Sequence, residues 1–242
     1  DLHSFPTRRS SDLVGEIGCG GTDDSFPVLA VIDPELMLTV PPQFTAYQGF
    51  DAIFHSTECC IARPANFMSN MYALEALRHL SLWLPAAVRD GSNIHAREHV
   101  AFGNTLSGTV MTLSSCTSEH AIEHAMSAFH PDLPHGAGLI LLSVPYYQFL
   151  LDNHACDEKF LHMAHRMGTP MAQHPEDFIT CLKRIQKNCG VDDLAMSDFG
   201  IQKKELPDIV ANARETMGAL FQADPCDLSD EHWLQILQTA WK

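Results

Sequence analysis

The sequence predicts a mainly α-helical protein with a single short strand near its start. Three observations carry that expectation. From Pro42 onward, apolar residues recur at helical spacing, and prolines at 64, 131, 134, 170, 175 and 225 punctuate the pattern. Only one stretch, 28–32, is a short β-branched apolar run, closed by Asp33-Pro34. Hydrophobic residues make up 45% of 242 positions, enough for a sizeable core.

The elements follow in chain order. The opening "HSFPTRRSSDL", His3 to Leu13, reads like a sequencing adapter translated in frame, so residues 1–14 are expected to be an artefact without packed structure. In "GCGGTDD" the glycines precede a strand pattern, whereas a phosphate loop needs them after one, so the stretch reads as a solvated turn. A lone strand at 28–32 has no stability of its own, which implies sheet partners further upstream. Helices are expected at about 45–63, 67–89, 94–116, 118–129, 136–153, 157–166, 175–189, 205–219 and 229–241. The last opens on Ser229 with acids in its first turn, which suits an N-cap and the helix dipole.

Bulk properties narrow the function. A net charge of −15 argues against a nucleic-acid groove or an anionic membrane surface. Eight scattered cysteines without a CxxC pair read as reduced thiols, hence a cytoplasmic protein.

Chemistry is concentrated in two stretches. In "TAYQGFDAIFHSTECC", Asp51 and His55 lie four apart and leave one helix face, a spacing that can chelate a divalent ion or form a plain surface pair. In "HAIEHAMSAFHPDLPHG", His120 and His124 repeat that spacing, and His135 follows a proline turn at a helix start. His130 lies between them. Any one of these histidines is ordinary; their joint arrangement is what suggests a site.

Those residues also carry a resemblance. "DPELMLTVPPQFTAYQGFDAIFHSTE" resembles the pattern DPxL…PxxxTAxxGxDAxxHxxE of the iron-containing alcohol dehydrogenases, within the dehydroquinate synthase-like superfamily. "HAIEHAMSAFHPDLPHG" is similar to that family's HAxxHAxGA…PHG signature, and "AREHVAFGNTLSG" and "DFGIQKKELPDIVANA" match flanking segments. The resemblance spans about residues 15 to 241. It implies an all-helical metal-binding domain over 43–242, with 15–42 the remnant of an N-terminal α/β nucleotide-binding domain. It implies Asp51, His55, His120 and His135 as ligands to Fe2+ or Zn2+, and His124 as a catalytic neighbour of nicotinamide and substrate. The implied activity is hydride transfer between a small alcohol or aldehyde and NAD(P) in a homo-oligomer, with most cofactor-binding residues outside this stretch and the chain alone inactive. Two departures stand out. Ser127 replaces the glycine of HAxGA, and a loop about one residue longer makes His130 a competitor of His120 for the ligand role. The alternatives are a glycerol dehydrogenase or dehydroquinate synthase-like relative, and a non-enzymatic helical metal-binding module.

Overall fold

The computed structural model describes residues 28–241, and within them nine α-helices pack around one core. The expectations for residues 1–14, and for the glycines of 18–24, lie outside the described residues. The strand expected at 28–32 does not form: Val28, Leu29, Val31 and Ile32 are exposed, and no strand occurs among the described residues. The physical reason is that a strand's backbone groups and apolar side chains need a neighbouring strand to pair with, and none occurs among the described residues. The first regular element among the described residues is a 3₁₀ turn, Pro34–Met37, capped by Asp33, whose carboxylate accepts from Glu35 N at 2.9 Å.

Helix α1 (Pro42–Ile61) starts on a proline, whose missing N–H costs nothing in a first turn. It is buried around most of its circumference, from Thr45 and Ala46 through Cys60 and Ile61, which marks it as the central helix. Helix α2 (Phe67–Arg89) is closed by a reciprocal capping box between Asn66 and Ser69, and α3 (Ile94–Leu113) by Asn93. Both α2 and α3 pack on α1 and on each other. The start of α1 is pinned by buried Arg97 of α3, which donates to Thr45 Oγ1 at 2.8 Å and to Val40 O at 3.0 Å. Arg97 thereby fixes the register of the helix that carries Asp51 and His55.

On the other side, α5 (His135–Asp152) packs on α1 and on α4 (Ser118–Phe129). Helices α8 (Leu206–Gln222) and α9 (Asp230–Ala240) back them, the first against α4 and the second against α5. The shorter α6 (Asp157–Arg166) and α7 (Asp177–Asn188) pair with one another. Large aromatics lock these layers: Tyr146 stacks on Trp233 at 5.2 Å, and Phe160, Phe178 and Tyr147 meet in the core. Trp233 Nε1 donates to Ser118 Oγ at 2.8 Å, so α9 holds the first residue of α4 directly.

Seven cysteines among the described residues are free thiols, and no described helix is long and apolar enough to cross a membrane. On another side of the bundle, His79 is buried and meets His99 through Nδ1 atoms 2.9 Å apart. Trp83 stacks on His99 at 4.3 Å, so that histidine packs between α2 and α3.

Candidate metal centre

Asp51 and His55 leave α1 on one face, one turn apart, and their side chains meet at 3.5 Å between Oδ1 and Nε2. His120 and His124 project from α4, and His135 is the first residue of α5. The approach of α5 to α1 depends on the residue after His135. A Cβ on Gly136 would stand 2.1 Å from Tyr47 O, so only glycine lets the start of α5 close on the α1 backbone. That closure brings His135 to the turn bearing Asp51.

The result converges on one oxygen. Asp51 Oδ1 lies 3.5 Å from His55 Nε2, 3.4 Å from His120 Nε2 and 3.4 Å from His135 Nε2. Four ligands placed tetrahedrally at about 2.1 Å from one ion stand about 3.4 Å from one another. Asp51 Oδ1 and His120 Nε2 are both buried and neither has a hydrogen-bond partner. Buried polar atoms are almost always satisfied, so two orphans facing each other mark a place shaped for a third body between them. The donor set of three imidazoles and one carboxylate suits Fe(II), Zn(II) and similar divalent ions.

A second ring of carboxylates orients the imidazoles. His120 Nδ1 pairs with Glu58 Oε1, and His135 Nδ1 pairs with Glu123 Oε2. With Nδ1 so engaged, each ring turns its Nε2 inward, the arrangement by which metal-binding histidines are held. Glu58 is completely buried, and its other oxygen accepts from the backbone N–H and hydroxyl of Thr117, both at 2.6 Å. Behind it, the buried carboxyl Glu119 accepts from Tyr147 at 2.5 Å; burial and the neighbouring Glu58 charge push its pKa well up.

Electrostatics divide the histidines into two kinds. Burial opposes charge on His135, but the Glu123 and Asp51 carboxylates outweigh it and hold its pKa up at about 10. The same contest, with Glu58 and Asp51 as the partners, leaves His120 well above the ordinary value. Burial wins at His55, pushed down to about 4 despite Asp51, and at His124, also about 4 despite Glu123. The carboxylates thus favour the protonated forms of His120 and His135 around Asp51, whose own pKa lies well below the usual range: burial opposes that charge, but the surrounding histidines outweigh it.

His124 sits beside the cluster, its ring 5.0 Å from that of His135 and 6.4 Å from that of His120. His130 turns away and pairs with Glu205 at 3.1 Å, so it does not compete with His120. Sequence reasoning missed Glu58 and Glu123. A signal was present: each stands three residues after a histidine of the cluster, in a stretch otherwise apolar enough to be core.

This combination defines a class, a helical domain in which one carboxylate and three imidazoles converge where α1, α4 and α5 meet. The sequence profile described as "Fe-containing alcohol dehydrogenase family, C-terminal" matches residues 45–241, and the chain belongs to that family. Among curated relatives, it is 28% identical over 220 residues to the NAD-dependent methanol dehydrogenase of Bacillus methanolicus, covering 88% of this chain and 56% of that one. It is 30% identical over 190 residues to the 1,3-propanediol dehydrogenase of Citrobacter freundii, covering 76% and 48%. An archaeal halo-thermophilic alcohol dehydrogenase from a Red Sea brine pool superposes with a TM-score of 0.85 at 28% identity, covering 91% of this chain and 56% of that structure. The chain thus spans about half the length of the relatives it matches.

Proposed function

We propose that Asp51, His55, His120 and His135 hold one divalent metal ion, iron or zinc, in an NAD(P)-dependent enzyme that interconverts a small alcohol and its aldehyde. The observation that carries this reading is the equal spacing of three imidazole Nε2 atoms around Asp51 Oδ1, two of the four atoms being buried without partners. The family and the dehydrogenase names of the relatives support the reaction class.

A divalent ion supplies Lewis acidity, which polarises an alcohol or carbonyl oxygen and eases hydride exchange with a nicotinamide ring. The chain's own residues do the rest. Asp51 contributes the one negative charge in direct reach of the ion. Glu58 and Glu123 fix the inward-facing nitrogens of His120 and His135. His55 is neutral at neutral pH and needs no deprotonation to donate its lone pair. His124 is also neutral there, and its place beside the cluster suits a group that orients an alcohol oxygen by hydrogen bonding.

The test is metal content. Purified protein, stripped with chelator and reloaded with Fe(II) or Zn(II), should retain one equivalent after desalting. His135→Ala should lose it and His130→Ala should keep it. Equal retention by both variants would overturn the ligand assignment.

A further inference from the structure

Ser127 stands where the family signature has glycine, and the structure gives that departure a consequence. Ser127 Oγ donates to Glu123 Oε1 at 2.6 Å. The other oxygen of the same carboxylate, Oε2, pairs with His135 Nδ1. Glu123 is completely buried, so no water competes for either oxygen. Across the interface, a Cβ on Gly138 of α5 would stand 2.6 Å from Glu123 Oε1 and 2.7 Å from its Cγ. The carboxylate therefore lies in a slot with three walls: a hydroxyl one turn along α4, the bare backbone of α5, and the imidazole that α5 delivers.

We infer that Ser127 and Glu123 form a positioning pair, in which Ser127 orients the Glu123 carboxylate and Glu123 orients His135 for the ion. The inference rests on the metal reading above and names what keeps its most exposed imidazole in place. His135 needs such help more than its partners do. Its side chain is 34% exposed, against 4% for His120 and 18% for His55. It is also the first residue of α5, where the helix dipole is positive and weakens a ligand's donation to a cation. A buried carboxylate on the far nitrogen opposes that effect and restricts ring rotation. Ser127, one turn from Glu123 on α4, removes the alternative in which the carboxylate swings away and leaves an oxygen unsatisfied.

The experiment is a double-mutant cycle read by metal affinity, which does not depend on turnover. Stripped wild type, Ser127→Ala, Glu123→Gln and the double variant are titrated with Co(II) against a competing chelator. Thermal melting of each ion-free variant checks the fold. Glu123→Gln keeps the shape and drops the charge, and should weaken Co(II) binding by about 10-fold to 100-fold. Ser127→Ala should weaken it less, by about 3-fold to 10-fold, because the carboxylate stays but is less well held. The double variant should be no weaker than Glu123→Gln alone, since Ser127 acts only through that carboxylate. Glu123→Asp, which restores the charge on a shorter arm, should recover part of the loss. Additive effects, or an unchanged Ser127→Ala, would overturn the positioning pair while leaving the metal reading intact. Failure of wild type to take up Co(II) would overturn both.

Discussion

Asp51 Oδ1 and His135 Nε2 stand 3.4 Å apart although 84 positions separate them in the chain. They belong to helices whose close approach at this point requires that Gly136 present no side chain to Tyr47. The contact is therefore a product of helix packing, and it can be broken either at the charges or at the glycine.

Removing the shared oxygen should remove the centre. Asp51→Ala leaves three imidazoles with no anion among them and two rings that hold protons in the ion-free chain. Zinc or iron retention should fall to background, a loss of at least about 100-fold in affinity. Inductively coupled plasma analysis after desalting reads it directly, and stoichiometric metal in this variant would exclude Asp51 as a ligand.

Breaking the approach should matter without touching any donor. Gly136→Ala drives a methyl group into the Tyr47 carbonyl, so α5 must shift outward. The expected cost is about 1–3 kcal/mol in urea unfolding, together with weaker metal binding as His135 withdraws. Stability equal to wild type would show that the helices have room that the structure does not display.

Glu58 should be costly to lose even without metal. Its carboxylate satisfies Thr117 twice and faces the charged His120 ring. Glu58→Ala leaves a buried imidazolium and a buried N–H without partners, for a loss of about 3–5 kcal/mol. Chemical denaturation of the stripped protein measures it; a loss under 1 kcal/mol would mean water or rearrangement replaces the carboxylate.

The pH dependence has a definite sign. His135 has its pKa raised to about 10 in the folded, ion-free chain, and His120 is raised as well. Their contribution to stability is complete below the unfolded value of about 6.5 and is lost as pH rises toward 10. The melting point of stripped protein should therefore decline across that window. An ion replaces those protons, so uptake should release protons near neutral pH and strengthen as pH rises. Calorimetry in two buffers of different ionisation enthalpy counts the protons, and a count of zero would contradict the charged-histidine picture.

His124 separates binding from chemistry. With its ring beside the cluster but outside the four-atom arrangement, His124→Ala should retain metal at wild-type affinity. In a preparation that oxidises an alcohol with a nicotinamide cofactor, turnover should drop by about 10-fold to 100-fold as the group that orients the alcohol oxygen is lost. Undiminished turnover would remove His124 from the reaction.

Helix positions were legible from sequence because their signals are local: Asn66, Asn93 and Ser229 cap the helices they precede, and prolines and apolar period mark the rest. The candidate donors at 51, 55, 120 and 135 were legible through spacing and through the family signatures they carry. The strand at 28–32 was misread because its pattern records burial that only a neighbouring strand provides, and no such neighbour exists among the described residues. Tertiary structure alone decided which histidines converge. It sent His130 to Glu205 and His120 to Glu58, and it turned Ser127 from a missing glycine into a donor for Glu123. Sequence specifies turns of single helices within a few residues, whereas the direction of a ring depends on side chains that other helices bring from 60 or more positions away.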